Sequence, residues 1–356
     1  MTPFDDDLAL IRDAALAAGA LALSEREAGL KIWSKSGGSP VTSADMAVDA
    51  FLKSTLLAAR PVYGWLSEET PDTAERLSRR RIFVVDPIDG TVAYMKGKSW
   101  WCVPIAVIED GRPVAAVIHA PVLNETFEAT LGGGARLNGK PITASDTDSL
   151  DDASVLADAR MIEGPQWLEP WPVMRFEKRN AIAYRLALVA AGAFDAAIAL
   201  SPKWDWDIAA GALIAEEAAA KVTDHHGRPW HFNRPDPRQS SLVCSAPALH
   251  PLIVRRTTPI PLGAYALPRR RNSRMSQHTE VEAQQLLHLV IGGELRHLDA
   301  PVFRDLSKVE FVGAYGSYAE ARQAWKARAQ ATVDNAHMRF FILHAHRMID
   351  PRGDVS

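Results

Sequence analysis

The chain has 356 residues, 47% of them hydrophobic, enough for two domains that each bury a core. Its 40 Lys and Arg against 43 Asp and Glu give a net charge of -3, which argues against nucleic acid as a bulk partner, and no apolar run approaches membrane-spanning length. The two cysteines, Cys102 and Cys244, lie in apolar stretches and read as buried free thiols, while Asp5-Asp6-Asp7 is the opposite of a basic signal-peptide start, so a soluble cytoplasmic protein is expected.

In chain order, Asp5 to about Glu27 reads as an amphipathic helix with acidic residues leading its first turn. Ser39-Pro40-Val41-Thr42-Ser43-Ala44-Asp45 opens a second helix reaching Ala59, capped by Thr42 or Ser43. Trp65-Leu66-Ser67-Glu68-Glu69-Thr70 sets paired glutamates after a short apolar stretch. Ile82-Phe83-Val84-Val85 reads as a buried strand that runs directly into Asp86-Pro87-Ile88-Asp89-Gly90-Thr91. A hairpin follows, from Trp101 to Ile108 and Val114 to His119, and Asn124 to Leu131 continues the meander between glycine turns. Helices are predicted over Ala181–Ala193 and Asp207–Ala219. Helices alternating with antiparallel strands make this an α+β domain.

The text changes near Pro251. Residues 1–250 form one predicted domain, 251–275 a Pro- and Arg-rich linker, and 276–356 a small module. In the module, Leu286–Leu295, Lys308–Ala314 and Met338–His346 read as strands, and Ser317-Tyr318-Ala319-Glu320 as a capping box opening a helix to Val333, a ββαβ-like order.

The chemistry concentrates at Asp86–Thr91. Two carboxylates emerge at a strand end, and the backbone N–H groups of Gly90 and Thr91 follow; carboxylates suit hard divalent cations and free N–H groups suit phosphate. A lone pair of aspartates is also what an ordinary surface turn contains. No Ser–His–Asp or Cys–His set is apparent, which leaves metal-activated water as nucleophile, with Glu68 and Thr91 to orient or deprotonate it. Lys96 and Lys98 either contact an anionic substrate or belong to a solvated loop. His337, His344 and His346 read as packing or surface positions rather than a metal site.

Three motifs in order, Glu68-Glu69, Asp86 to Thr91 and Trp206-Asp207-Ile208-Ala209-Ala210, resemble the inositol monophosphatase superfamily of Mg2+-dependent, lithium-sensitive phosphatases. The resemblance implies an αβαβα sandwich and two or three Mg2+ per active site. It implies that Glu68, Asp86 and the Ile88 carbonyl hold one ion and that Asp86, Asp89 and Asp207 hold another. Asp45 matches the early aspartate that pairs with the D-G-T threonine, here Thr91, near a weaker third metal; Asp205 falls outside the motif's frame. The module resembles a short alphaproteobacterial domain of unknown function.

For substrate, the acid that inositol phosphatases carry before the W-D aspartate falls near Leu200 here. The stretches around Ser39 and Ser67 look more like the bisphosphate nucleotidase branch, acting on 3'(2'),5'-bisphosphoadenosine, with Lys203 either meeting the second phosphate or lying at the surface; Val92, where that branch often carries lysine, departs from it. The first expectation is therefore a 3'(2'),5'-bisphosphate nucleotidase, then an inositol-1-monophosphatase or histidinol phosphatase, and, in another class, a catalytically degenerate binding or regulatory protein. Expected partners are a small phosphorylated metabolite, with no nucleic acid and no membrane; a homodimer is left open.

Overall fold

The computed structural model describes residues 2–34, 39–164, 167–261, 287–297, 300–315, 318–332, 335 and 337–345. The chain divides into two compact units, Met1–Arg271 and Asn272–Ser356. The helices of the first unit are α1 (Asp5–Ala28), α2 (Ser43–Ala59), α3 (Thr91–Met95), α4 (Ala159–Ile162), α5 (Ile182–Ala190), α6 (Asp205–Glu217) and α7 (His250–Thr257).

A seven-stranded sheet orders Gly64–Ser67, Arg81–Val85, Val103–Glu109, Arg112–Ala120, Glu125–Thr130, Gly134–Leu137 and Lys140–Pro141. Its first two strands are parallel and the rest antiparallel. Successive side chains of a strand point to opposite faces. Phe83 and Val85 therefore pack with Ile11, Ala15, Leu52 and Leu56 of α1 and α2, while Ile82 and Val84 face Leu186, Ile208 and Leu213 of α5 and α6. Both faces are covered, which is why these strands are apolar at nearly every position.

The second sheet orders Arg175–Glu177, Ser154–Leu156, Ala196–Ala199, Leu242–Ser245 and Lys221–Thr223. One face, with Leu156, Ala197, Leu242 and Cys244, shares the α5–α6 layer; the other, with Val155, Ile198 and Val243, packs on Ile162 of α4 and Ile253 of α7. The stack is thus helices, sheet, helices, sheet, helices, the αβαβα order expected. Gly211 lets the middle pair of helices approach closely, because a Cβ there would stand 2.7 Å from Leu186 Cβ. Helix α7 occupies the start of the stretch read as a linker. Proline is tolerated in a helix's first turn, and Ile253 and Thr257 are fully buried. Residues 262–286, the rest of that stretch and the module's start, lie outside the described residues.

In the second unit, Leu287–His297 pairs antiparallel with Ala300–Phe303, Glu310–Tyr315 and Met338–Ala345, and α8 (Tyr318–Ala331) packs on the sheet. The order is βββαβ: the short Ala300–Phe303 strand adds to the expected ββαβ. Trp325 Nε1 donates to the Phe340 carbonyl at 2.8 Å, tying helix to sheet. His337 is exposed, and the described residues include neither His346 nor the His344 side chain. No described helix is long and apolar enough to cross a membrane.

Candidate active site

The site is built at the end of two parallel strands. Ser67 pairs with Val85, so Glu68 and Asp86 step off neighbouring strands at one level. Glu68 N donates to Val85 O at 3.3 Å and Asp86 N to Pro104 O at 3.2 Å, which ties both residues to the sheet before their side chains leave it. Asp86 Oδ1 accepts from Ile88 N at 3.0 Å, and Asp89 is bridged to Cys102. Gly90 then takes a left-handed conformation, φ 93°, as the N-cap of α3. The first bond within α3 is made by Ala93, so the N–H groups of Gly90, Thr91 and Val92 precede the helix's own ladder.

Three more helix starts converge here. Asp89 accepts from Ile182 N at 3.0 Å and Ala183 N at 2.6 Å at the beginning of α5. Asp207, in the first turn of α6, accepts from Trp204 N at 3.0 Å. Asp45 forms the capping box of α2 with Thr42, and its other oxygen faces the Thr91 hydroxyl at 3.2 Å. Asp207 and Asp45 therefore cap helices and face the site at once, as the positive pole of a helix start allows.

Asp86 is 2% exposed and Asp89 4%. Burial, then the negative charges of Glu68, Asp89, Asp207 and Asp45, hold the Asp86 carboxyl well above the usual range. Asp89 is pushed up to about 8 by burial first and Asp207 next, against the two N–H groups that favour its charge. Asp45 is raised by burial, with Thr42 partly offsetting it. Among the described residues no three His, Cys, Asp or Glu side chains are drawn up into a ready ligand set. The carboxylates are electrostatic neighbours, several oxygens turned to backbone N–H groups. Buried like charges built only from hard oxygen donors suit Mg2+ better than a soft metal.

The first unit matches the inositol monophosphatase family over residues 5–261. The chain belongs to the inositol monophosphatase family. Residues 286–345 match a domain of unknown function (DUF4170). Among family members, the chain is 33% identical to Nus factor SuhB of Escherichia coli K12 over 198 residues, 52% of this chain and 72% of that protein. It is 31% identical to an inositol-1-monophosphatase of Rhizobium meliloti over 200 residues, 52% and 73% of the two chains. A solved IMPase of Thermotoga maritima superposes with a TM-score of 0.63 at 26% identity, covering 71% of this chain and 97% of that one.

Within this inositol monophosphatase fold, Glu68, Asp86, Asp89, Asp207, Asp45 and Thr91 come together, with Ile88, Gly90 and the start of α3 beside them. Lys96 and Lys98 are exposed, and Lys98 lies over the Trp100 ring at 5.6 Å. Lys203 Nζ is held by Ser201 Oγ at 2.7 Å. Leu200 is buried in the outermost core. Asp205 is fully buried and bonded to Asn233 N and Gln239 Nε2, so it braces a loop.

The sequence reading missed two supports. Asp49 of α2, 6% exposed, accepts the hydroxyls of Ser67 and Thr70, which flank Glu68-Glu69 and so fix the segment that carries Glu68. Its only signal was an acid four residues after Asp45, one helical turn on and hence on the same helix face. The Ile182 and Ala183 N–H groups had none, because backbone donors carry no residue signature.

Proposed function

We propose that the chain is a Mg2+-dependent phosphate monoesterase with water as nucleophile. The supporting observation is the buried group of like charges at the strand ends, which a cation would neutralise. Glu68, Asp86, the Ile88 carbonyl, Asp89 and Asp207 would hold two or three Mg2+. Bound there, the metal supplies charge neutralisation for the phosphate and acidification of a water.

The chain's own residues supply the rest. The N–H groups of Gly90 and Thr91 receive phosphate oxygens. The Thr91 hydroxyl, 3.2 Å from both Asp45 Oδ1 and the Ile88 carbonyl, lies where a proton passes from water toward Asp45, whose raised affinity for it suits that task. Glu68 orients the water from the end of the neighbouring parallel strand.

For substrate, an inositol-type monophosphate goes ahead of the bisphosphate nucleotide. Relatives named inositol-1-monophosphatase support it, and Lys203, assigned to the second phosphate, is held by Ser201 instead. The free, buried Cys102 and Cys244 support a reducing compartment such as the cytoplasm. The exclusion of nucleic acid gains no support, because a relative bearing the name Nus factor shares this domain. That same name favours the second reading, a binding or regulatory protein without turnover.

The test is phosphate release from inositol 1-phosphate and from 3',5'-bisphosphoadenosine, with Mg2+ and with chelator, for the native chain and Asp207→Asn. Mg2+-dependent release that Asp207→Asn abolishes is expected, faster from inositol phosphate. No Mg2+-dependent release from either ester favours the binding reading.

A further inference from the structure

We propose that a second cavity, at the corner between the first turn of α1 and the strands Glu125–Thr130 and Gly134–Leu137, binds a free α-amino acid. The ammonium group meets Glu128 and the carboxylate meets Arg136. This site lies apart from the strand-end carboxylates, and the inference stands whether or not the phosphatase reading does.

The cavity holds about 310 Å³, and Asp5, Leu8, Glu128, Thr130, Gly133 and Arg136 are among its walls. That is the lower end of the range for small-molecule sites and suits a ligand the size of one amino acid. Phe127, Ala129 and Ala135 point into the core beside α5 and α6. The alternating Glu128 and Arg136 therefore leave the other face of the sheet, the one α1 packs on. Asp5 belongs to the same helical turn as Asp7, which meets Arg81 at the start of its strand, whereas Asp86 follows that strand's finish. The cavity and the carboxylate group are thus at opposite ends of the sheet.

Glu128 carries the unmet demand. Its side chain is only 12% exposed, and its Oε2 is shielded from solvent with no hydrogen-bond partner among the described residues. Arg12 Nη1 stays 3.8 Å from that oxygen, and its guanidinium also leans on the exposed Asp13, at 3.5 Å. A largely buried carboxylate without donors costs stability, so a donor belongs beside it. Arg136 sits directly across from Glu128 in the strand pairing. Opposite charges at such positions ordinarily close on each other. Among the described residues Arg136 enters no ion pair, and its Nη1 instead reaches the Gly139 carbonyl at 3.4 Å. Both charges line the cavity without meeting.

The surroundings decide the ligand class. Asp5 is not a second open acid: Thr2 N donates to its Oδ2 at 2.9 Å and Thr2 Oγ1 to its Oδ1 at 2.6 Å. One carboxylate beside an arginine is a poor set for a divalent cation, which takes several oxygens. A simple anion would be held by Arg136 but repelled by Glu128. A simple amine would meet the reverse, with Arg12 adding to the repulsion. A zwitterion satisfies both charges. The planar guanidinium of Arg136 matches a carboxylate, and the ammonium supplies the donor that Glu128 lacks. Leu8 gives the amino acid's side chain an apolar wall.

The experiment reads the melting temperature of the full chain with each of the common L-α-amino acids in turn, at about 10 mM. Ethanolamine and acetate, each carrying one of the two charges, are the controls. At least one amino acid is expected to raise the melting temperature by about 2 °C or more, and neither control to do so. Glu128→Gln and Arg136→Met are each expected to remove most of that shift. No shift with any amino acid, an equal shift with either control, or a shift that either variant leaves more than half intact overturns the site. Arg136 is exposed, so its variant carries the comparison if Glu128→Gln does not fold.

Discussion

The strand Arg81–Val85 carries opposite electrostatic arrangements at its two ends. At its start, Arg81 meets Asp7 Oδ2 at 3.1 Å and Glu109 Oε1 at 3.0 Å, Arg60 meets the other oxygen of Asp7 at 3.0 Å, and the Tyr63 hydroxyl donates to Asp7 at 2.8 Å. The Tyr63 contact, then Glu109, outweigh burial and hold the Arg81 guanidinium in its charged form. At its finish, Asp86 and Asp89 are as buried as Asp7, yet the described ion pairs include neither. One end spends its charges on holding the layers together. The other keeps like charges close in a poorly solvating place, which costs stability and marks a site made for an ion or a reaction.

The contrast breaks most sharply by neutralising an acid at each end. Asp86→Asn is expected to lower phosphate release about 10³-fold or more while the melting temperature in chelator stays level or rises, because a buried repulsion is removed. A clear drop in that melting temperature would make Asp86 a structural acid like Asp7. Next in size, saturating Mg2+ is expected to stabilise the native chain by about 2.7 kcal/mol at a hundred times its Kd, read from melting with and without chelator, and Asp86→Asn is expected to lose most of that gain. Asp7→Asn sharpens the other side: it is expected to cost about 2 kcal/mol, read by denaturant unfolding, with kcat for the native substrate retained.

Asp195 supplies the smallest and most graded test. Burial would raise its carboxyl, but Ser154 N and Oγ, Thr147 and Ser145 outweigh that and bring it to about 2. A depressed folded value stabilises above the unfolded value near 3.8 and loses that contribution as pH falls toward 2. Asp195→Asn is expected to be less stable by about 1–2 kcal/mol at pH 6, with the gap closing between pH 4 and pH 2. A gap independent of pH would mean that packing, not charge, sets the Asp195 contribution.

Much of the site was legible because its residues sit next to punctuation. Asp86 follows an unbroken apolar strand, Asp45 lies in a helix start, and Asp207 sits at the head of an alanine-rich helix. The hairpin Val103–Ala120 was legible through its length and its turn. The second sheet was not. Its strands are only three or four residues long, and Ala196–Ala199 has the composition of a continuing helix. Only pairing with Ser154–Leu156 and Leu242–Ser245 makes it a strand. Helix α7 was hidden by its proline, and the Asp49 clamp by a helix face that reads as solvated. The order of alternatives for substrate rested on one missing acid, whereas the hold of Ser201 on Lys203 became visible only in three dimensions.

The level pairing of Ser67 with Val85 has a consequence for ion choice. Neighbouring strands keep a spacing of about 4.8 Å that cannot stretch without breaking their own ladder. The gauge between Glu68 and Asp86 is therefore machined into the backbone. A cation of larger radius must be accommodated by side-chain torsions. With Mg2+ held as proposed, substituting Ca2+ is expected to be felt unevenly across the site, most at the oxygens with the least freedom to retreat.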